Sequence, residues 1–323
     1  MSDQEMKSLY GRFARKVRDE NGIETYAVYY KDQEGIIEKY QLFPGIFLYV
    51  MDICAENAED GLVEARIPEE GMITICHCQE GRFEAEYGPG QYIYIGQNDT
   101  VVHLPGSGKI KNSFPLLRFK GAVVAIRSKA ANEFAKELSK SIGPVPWSFD
   151  YAISKLIEYG RVIVLKNEEH FNRLFGDIYN ESREDKIFFI RLRVLEILAE
   201  LSHEKGLKPA ILKRFDEDRV EAVKSIRKLL IDDIGKKYTQ EELSQMYSIP
   251  LTSLKECFKA VYGVPLNTYM REYRINVSAS LLKTTDLSVA QISERVGYAN
   301  QSKFAEVFKE RMGISPMEYR NKN

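Results

Sequence analysis

Two stretches near the C-terminal end of this chain are copies of one another, and the duplication restricts how the region can fold. FKAVYGVPLNTYMR (258–271) set above FKERMGISPMEYRN (308–321) matches Phe258 to Phe308, Lys259 to Lys309, Gly263 to Gly313, Val264 to Ile314 and Tyr269 to Tyr319. The interval is about 50 residues, and Leu254 and Phe304 share it. A fixed interval of that size marks a repeated supersecondary unit.

Each copy reads as two short helices joined by a tight turn. In the second, Ser288-Val289-Ala290-Gln291 is a capping box, with the serine accepting from an amide that the glutamine side chain repays in kind. The helix it opens places Val289, Ile292 and Val296 on one face. Gly297 ends it in the left-handed conformation open to glycine. Asn300 caps the next helix, which buries Phe304, Val307, Phe308 and Met312. In the first copy, Thr239-Gln240-Glu241-Glu242 is the capping box, and Leu243 and Met246 are the expected buried positions. The turn Tyr247-Ser248-Ile249-Pro250 leads to a helix with Leu254, Phe258 and Val261 inward, closed by Gly263. Residues 267–283 between the copies read as one long helix. Two helices about a tight turn form a helix-turn-helix, whose second helix enters the DNA major groove.

The exposed positions that would face base edges are Gln301, Ser302, Lys303, Ala305 and Glu306 in one unit, and Thr252, Lys255 and Glu256 in the other. Glutamine pairs with adenine, serine with several bases, and an alanine methyl can touch thymine. Lys259 and Lys309, with Arg271 and Arg274, are placed to grip phosphates, which set register rather than sequence. The whole chain carries a net charge of −1, but from residue 236 onward 13 Lys/Arg stand against 9 Asp/Glu. The positive excess is therefore local to the repeat.

These residues resemble the AraC/XylS transcription regulators. The similarity rests on Arg274, Ala279, Leu281, Leu282, Ser288, Val289, Ile292, Val296, Gly297, Tyr298, Gln301, Ser302, Phe304, Phe308, Lys309, Gly313, Ser315, Pro316, Tyr319 and Arg320, across about 100 residues. It implies two helix-turn-helix subdomains that read successive major-groove segments, and an N-terminal cupin-like β domain that senses an effector and helps dimerise. A weaker resemblance, in QEGRFEAEYGPGQYIYIGQND and KIFFIRLRVLEILAEL, is to the branch with siderophore-responsive activators. Glu256 and Glu306 depart from the basic residue or Gln common in the family, and Pro250 stands where a serine cap is usual. An acidic side chain accepts from cytosine and repels phosphate, so the base preference shifts.

The rest of the 323-residue chain supports more than one domain. Residues 23–127 read as β structure, with a hairpin expected over 72–87 and a turn at Gly88-Pro89-Gly90. Charges and apolar groups alternate in Arg82-Phe83-Glu84-Ala85-Glu86-Tyr87, the period of a half-buried strand. Residues 129–233 turn helical. The helix over 184–203 is apolar over most of its circumference, so it is either a core helix or a dimerisation helix. The expected organisation is α+β: a cupin-like sandwich or barrel (1–128), a helical connecting or dimerisation region (129–215), and an all-α DNA-binding domain with two helix-turn-helix units on a long helix (216–323).

No signal-like apolar core opens the chain, and GIFLYVM (45–51) is too short to span a bilayer. Four cysteines (Cys54, Cys76, Cys78, Cys257) make no CxxC or finger spacing, which fits free thiols in the cytoplasm. For a cupin-type metal, Gly71, His77 and Glu84 fit but Gln79 stands where a second histidine is needed, and His103 lacks the second motif. No metal and no cofactor are expected, and His77 reads as a strand histidine with its hydrogen bonds met. Cys76 and Cys78 share one strand face as buried side chains or, alternatively, a redox pair, with His77 on the other. His77, His103, His170 and His203 suggest no catalytic set, so no enzyme is expected. Phe47, Tyr49, Tyr92 and Tyr94 are either core or the lining of an effector pocket inside the β domain. The expected function is an effector-responsive, sequence-specific activator. It would bind double-stranded DNA as a homodimer, take a small-molecule effector, touch RNA polymerase and make no membrane contact. A repressor, or a scaffold using the helices for protein contacts, is the alternative.

Overall fold

In a computed structural model, the structure describes residues 14–20, 22–30, 33–54, 62–66, 72–88, 91–104, 109–116, 118–202 and 215–322. Gly71, Pro89, Gly90 and His203 lie outside the described residues. The chain divides into two compact units, Met1–Arg214 and Phe215–Asn323.

The first unit opens with strands β1 (Ala14–Glu20), β2 (Ile23–Tyr30), β3 (Gln33–Phe43), β4 (Ile46–Cys54), β5 (Leu62–Arg66), β6 (Met72–Gly81), β7 (Phe83–Gly88), β8 (Gln91–Ile95), β9 (Thr100–His103), β10 (Lys109–Ser113) and β11 (Arg118–Arg127). Helices α1 (Ser128–Ile142) and α2 (Phe149–Glu158), strand β12 (Val162–Leu165), and helices α3 (Glu169–Tyr179) and α4 (Lys186–Ser202) follow. Among the described residues, one sheet runs β1-β2-β3-β4-β11-β6-β9-β12, and β8, β7, β10 and β5 neighbour one another in a second.

Both faces of the larger sheet are covered at its central strands β4, β11 and β6. Ile46 and Leu48 of β4, Ile73 and Ile75 of β6, and Ala122, Val124 and Ile126 of β11 pack with the helices. The alternate residues Phe47, Tyr49, Met51, Cys76, Cys78 and Phe119 join Ile93 and Ile95 of β8 in a second core between the sheets. A strand covered on both sides reads as a nearly unbroken apolar run, as GAVVAI does.

Three expectations fail here. Residues 72–87 are no hairpin: β6 pairs with β11 and β9, whereas β7 pairs with β8 and β10. Gly81, at φ +88°, lets the chain leave one sheet for the other. The alternation over 82–87 does not put every charge outside, because Glu84 is buried and its carboxylate accepts a 2.6 Å hydrogen bond from the Tyr94 hydroxyl. The region after residue 128 is not wholly helical either, since β12 pairs antiparallel with β9 and adds an edge to the main sheet. Its four residues are all buried, and a run that short carries no periodicity.

His77 faces the helices. Asn172 donates from its amide group to Asn167 Oδ1 (3.1 Å) and so turns its own Oδ1 to His77 Nε2 (3.0 Å), while Nδ1 accepts from the Tyr179 hydroxyl (2.9 Å). Its ring stacks on Phe175 with centroids 4.6 Å apart. Burial lowers its pKa, and the neutral ring is held by both neighbours. Burial also raises the Cys76 and Cys78 thiols, which keeps them from the thiolate that redox chemistry needs. Among the described residues, no three His, Cys, Asp or Glu side chains converge as a metal site, and no helix is long and apolar enough to cross a membrane.

On α4, Ile190, Val194, Ile197 and Leu198 are buried, but Phe188 and Leu192 remain 57% and 45% exposed. The helix is thus a core helix on one side and an apolar surface on another.

The second unit is helical: α5 (Glu217–Asp232), α6 (Gln240–Met246), α7 (Leu251–Tyr262), α8 (Leu266–Thr284), α9 (Val289–Arg295), α10 (Gln301–Met312) and α11 (Pro316–Lys322). At about 1.5 Å per residue, α8 spans about 28 Å between the helix pairs α6–α7 and α9–α10.

Candidate nucleic-acid interface

The two helix pairs are built from the same parts. Thr239 Oγ1 accepts from the Glu242 amide (3.1 Å) and the Glu242 carboxylate accepts from the Thr239 amide (2.7 Å). Ser288 and Gln291 make the same exchange at 3.2 and 2.8 Å. Each box satisfies amides that the first helical turn leaves without partners.

The turns are duplicated in detail. The Ile249 amide donates to Ser244 O at 3.1 Å, and the Ser244 hydroxyl returns a 2.6 Å bond to Ile249 O. The Tyr298 amide donates to Ser293 O at 2.9 Å, and the Ser293 hydroxyl donates to Tyr298 O at 3.4 Å. Ser248 at φ +51° occupies the place of Gly297 at φ +85°. A Cβ on Gly297 would meet Gly235 O at 2.9 Å and Ile234 O at 3.1 Å, so crowding adds to the conformational demand for glycine there.

This correspondence runs at an interval of 49 before the turn and 50 after it, because the second turn holds one extra residue. Met246 therefore corresponds to Arg295 rather than Val296, and it is exposed instead of buried as expected. Ile249, in the turn, is buried.

The second helices diverge at their caps. Asn300 Oδ1 accepts from the Ser302 and Lys303 amides at 2.8 and 3.1 Å, while Pro250 opens α7 with no side-chain cap. Both helices stop at left-handed glycines, Gly263 at φ +86° and Gly313 at φ +79°. Behind each lies the same ring pair: Phe258 edge-on to Tyr269 at 5.6 Å, and Phe308 edge-on to Tyr319 at 5.4 Å.

With Leu254, Cys257, Phe258 and Val261 of α7 buried, the helix turns Thr252, Lys255, Glu256 and Lys259 outward. With Phe304, Val307 and Phe308 of α10 buried, Gln301, Ser302, Lys303, Glu306 and Lys309 are exposed and Ala305 is partly covered. Three outward positions repeat across the copies: Thr252 with Ser302, Glu256 with Glu306, and Lys259 with Lys309. Lys303 Nζ pairs with Glu306 Oε2 at 3.0 Å, so the lysine's charge is partly met within the helix.

Arg274 does not serve as expected. Its guanidinium donates to Ile234 O and Lys236 O, both at 3.1 Å, and fastens the backbone that packs on Gly297. Arg320 likewise donates to Leu287 O (2.6 Å) and Leu282 O (3.4 Å), tying α11 to the end of α8. The paired serines Ser244 and Ser293 escaped the sequence reading, although their interval of 49 was visible once the two turns are aligned separately.

The first unit holds a cavity of about 320 Å³, but not where an effector pocket was expected. Phe47 and Tyr49 belong to the core between the sheets. The cavity lies on the opposite face of the main sheet, where Ile75 and Val102 meet Trp147, Ala152 of α2 and Leu198 of α4.

The helix-turn-helix domain family matches residues 243–322. The regulator ExsA of Pseudomonas aeruginosa is 27% identical over 72% of this chain and 77% of that protein. The arabinose operon regulatory protein of Escherichia coli is 28% identical over 48% of this chain, which spans about half (52%) of that relative's length. The solved structure of ToxT from Vibrio cholerae aligns over 85% of this chain and 97% of its own at 17% identity, with a TM-score of 0.34, too low to bear on the fold.

Proposed function

The chain belongs to the AraC/XylS family of transcription regulators, and from that premise we propose that α7 and α10 are paired recognition helices reading successive segments of one DNA duplex. The chain is a regulator, not an enzyme. The observation that carries the proposal is the duplicated geometry: matching capping boxes, the same serine-to-backbone exchange in each turn, left-handed glycine stops, and outward residues that correspond at three positions. α8, about 28 Å long, holds the pairs apart by a length near the ~34 Å of one DNA turn.

In this reading Gln301, Ser302, Lys303, Ala305 and Glu306, with Thr252, Lys255 and Glu256, face base edges. Lys259 and Lys309 contact phosphate. On DNA, Lys303 must exchange Glu306 for a phosphate or a base. The first unit is a cupin-like sandwich that senses a small-molecule effector. It supports a homodimer through the exposed Phe188 and Leu192 of α4 and promotes transcription through RNA polymerase, in the cytoplasm. Effector binding shifts the population toward one arrangement and so changes how the reading helices are presented.

The test is Gln301→Ala. Selection from random duplexes is expected to give a site that has lost discrimination at one base position, with a discrimination of about 1–3 kcal/mol removed there. Binding to unrelated DNA should be unchanged. An unaltered preferred site would remove α10 from the groove.

A further inference from the structure

We propose that the cavity between the main sheet and helices α2 and α4 is a binding site for a compact, uncharged, mostly apolar molecule carrying one hydrogen-bond-accepting oxygen. Its walls are apolar, with Ile75 and Val102 from the sheet and Leu198 from α4. At about 320 Å³ it is of the size that takes small organic ligands. The polar groups around it are mostly answered within the protein. Ser148 Oγ accepts from the Tyr151 amide (3.4 Å), the Ser202 hydroxyl donates to Leu198 O (3.0 Å), and Lys155 pairs with Glu158 (3.1 Å). Lys155, the one charged residue among the described residues that line the cavity, is thus already paired, which argues against an ionic ligand.

Trp147 is the exception. It lines the cavity, it is 9% exposed, and its buried indole N–H has no acceptor among the described residues. Buried indole N–H groups nearly always find a partner, since leaving one without costs its full desolvation. A ligand oxygen beside it would supply the missing acceptor, while the ligand's body covers the apolar walls. The site lies outside the space between the two sheets, on residues that include Leu198, Leu201 and Ser202 of the last turn of α4, the last described residues before the second unit. Occupancy therefore bears on the last turn of α4. The ligand's role as an effector rests on the regulator reading above, whereas binding itself is read without DNA, so the two fail separately.

Trp147 is the chain's single tryptophan, so its emission reports on the site directly. The full chain would be titrated with three compact ketones, camphor, menthone and benzophenone, and with camphane, which has camphor's body and no oxygen. The expected result is a saturable one-to-one change in Trp147 emission with at least one ketone, and camphor about tenfold tighter than camphane. Ala152→Phe, which fills the cavity from a helix surface, should abolish the response without lowering the melting temperature. Trp147→Phe, followed by calorimetry, should bring camphor and camphane to equal affinity. If no ketone moves Trp147 emission, or Ala152→Phe binds as tightly as the parent chain, there is no such site. If camphane binds the parent chain as tightly as camphor, the acceptor requirement is wrong.

Discussion

Phe304→Ala is expected to destabilise the second unit by about 3–5 kcal/mol. Phe304 is 0% exposed and sits in a cluster with Ile275, Ile292, Val296, Val307 and Phe308, its ring centroid 5.5 Å from Tyr298 and 5.7 Å from Phe308. Truncation removes the transfer energy of the ring and leaves a cavity that two helix pairs and a shared long helix cannot close. A domain is stable by only about 5–15 kcal/mol, so the loss is a large share of the total. Phe304→Leu should restore much of it, because leucine is what the first copy carries at the corresponding Leu254. The measurement is urea unfolding followed by helical circular dichroism. Emission from Trp147, in the first unit, should keep its own transition unmoved. A loss under about 1 kcal/mol would be out of range for a packed phenylalanine and would mean the second pair is not organised around this ring.

Replacing Lys259 and Lys309 together by alanine is expected to weaken DNA binding for preferred and random duplexes alike, and to make the dependence of log affinity on log salt shallower by about 2. Both lysines are exposed, stand 50 residues apart at corresponding places, and lie in the last turns of α7 and α10. If each neutralises one phosphate, each releases about one counterion on binding, and its loss removes that release. Charge alone, with no geometric contact, would lower affinity less at high salt while leaving the selected sequence untouched. The single variants should each give about half the change in slope. A loss confined to the preferred sequence would assign the lysines to base edges, and an unchanged slope would take them off the DNA.

The second unit was legible because its constraints are local. Capping boxes, left-handed glycines and three-and-four spacing each act within a few residues, and they placed α6 through α10 near their observed bounds. The failure at Met246 has its counterpart in the other copy: one extra residue in the second turn changes the interval from 49 to 50, so Met246 stands where the second copy carries Arg295. Arg274 was misread for a different reason. An arginine in a helical repeat looks like a phosphate ligand until the tertiary fold brings Ile234 O and Lys236 O to it. In the first unit the strands were visible but their partners were not. Adjacent β6 and β7 fall into different sheets, and β12 joins β9 across about 60 residues of sequence, choices set by long-range packing that leave no short-range signal. Glu84 looked like an outward charge because the tyrosine that receives it, Tyr94, lies on the next strand. The cavity was invisible for the same reason: Ile75, Trp147 and Leu198 are far apart in the chain and meet only once the helices lie on the sheet.

The most direct measurement is a hydroxyl-radical footprint of the full chain on a duplex selected from random sequence. Two protected patches are expected on one face of the DNA, centred about 10–10.5 base pairs apart, one for each recognition helix. Gln301→Ala should alter base preference only in the patch under α10. A single protected patch, or no selected sequence with binding indifferent to salt, would contradict this expectation, and the duplicated helices would then not be a pair of DNA readers.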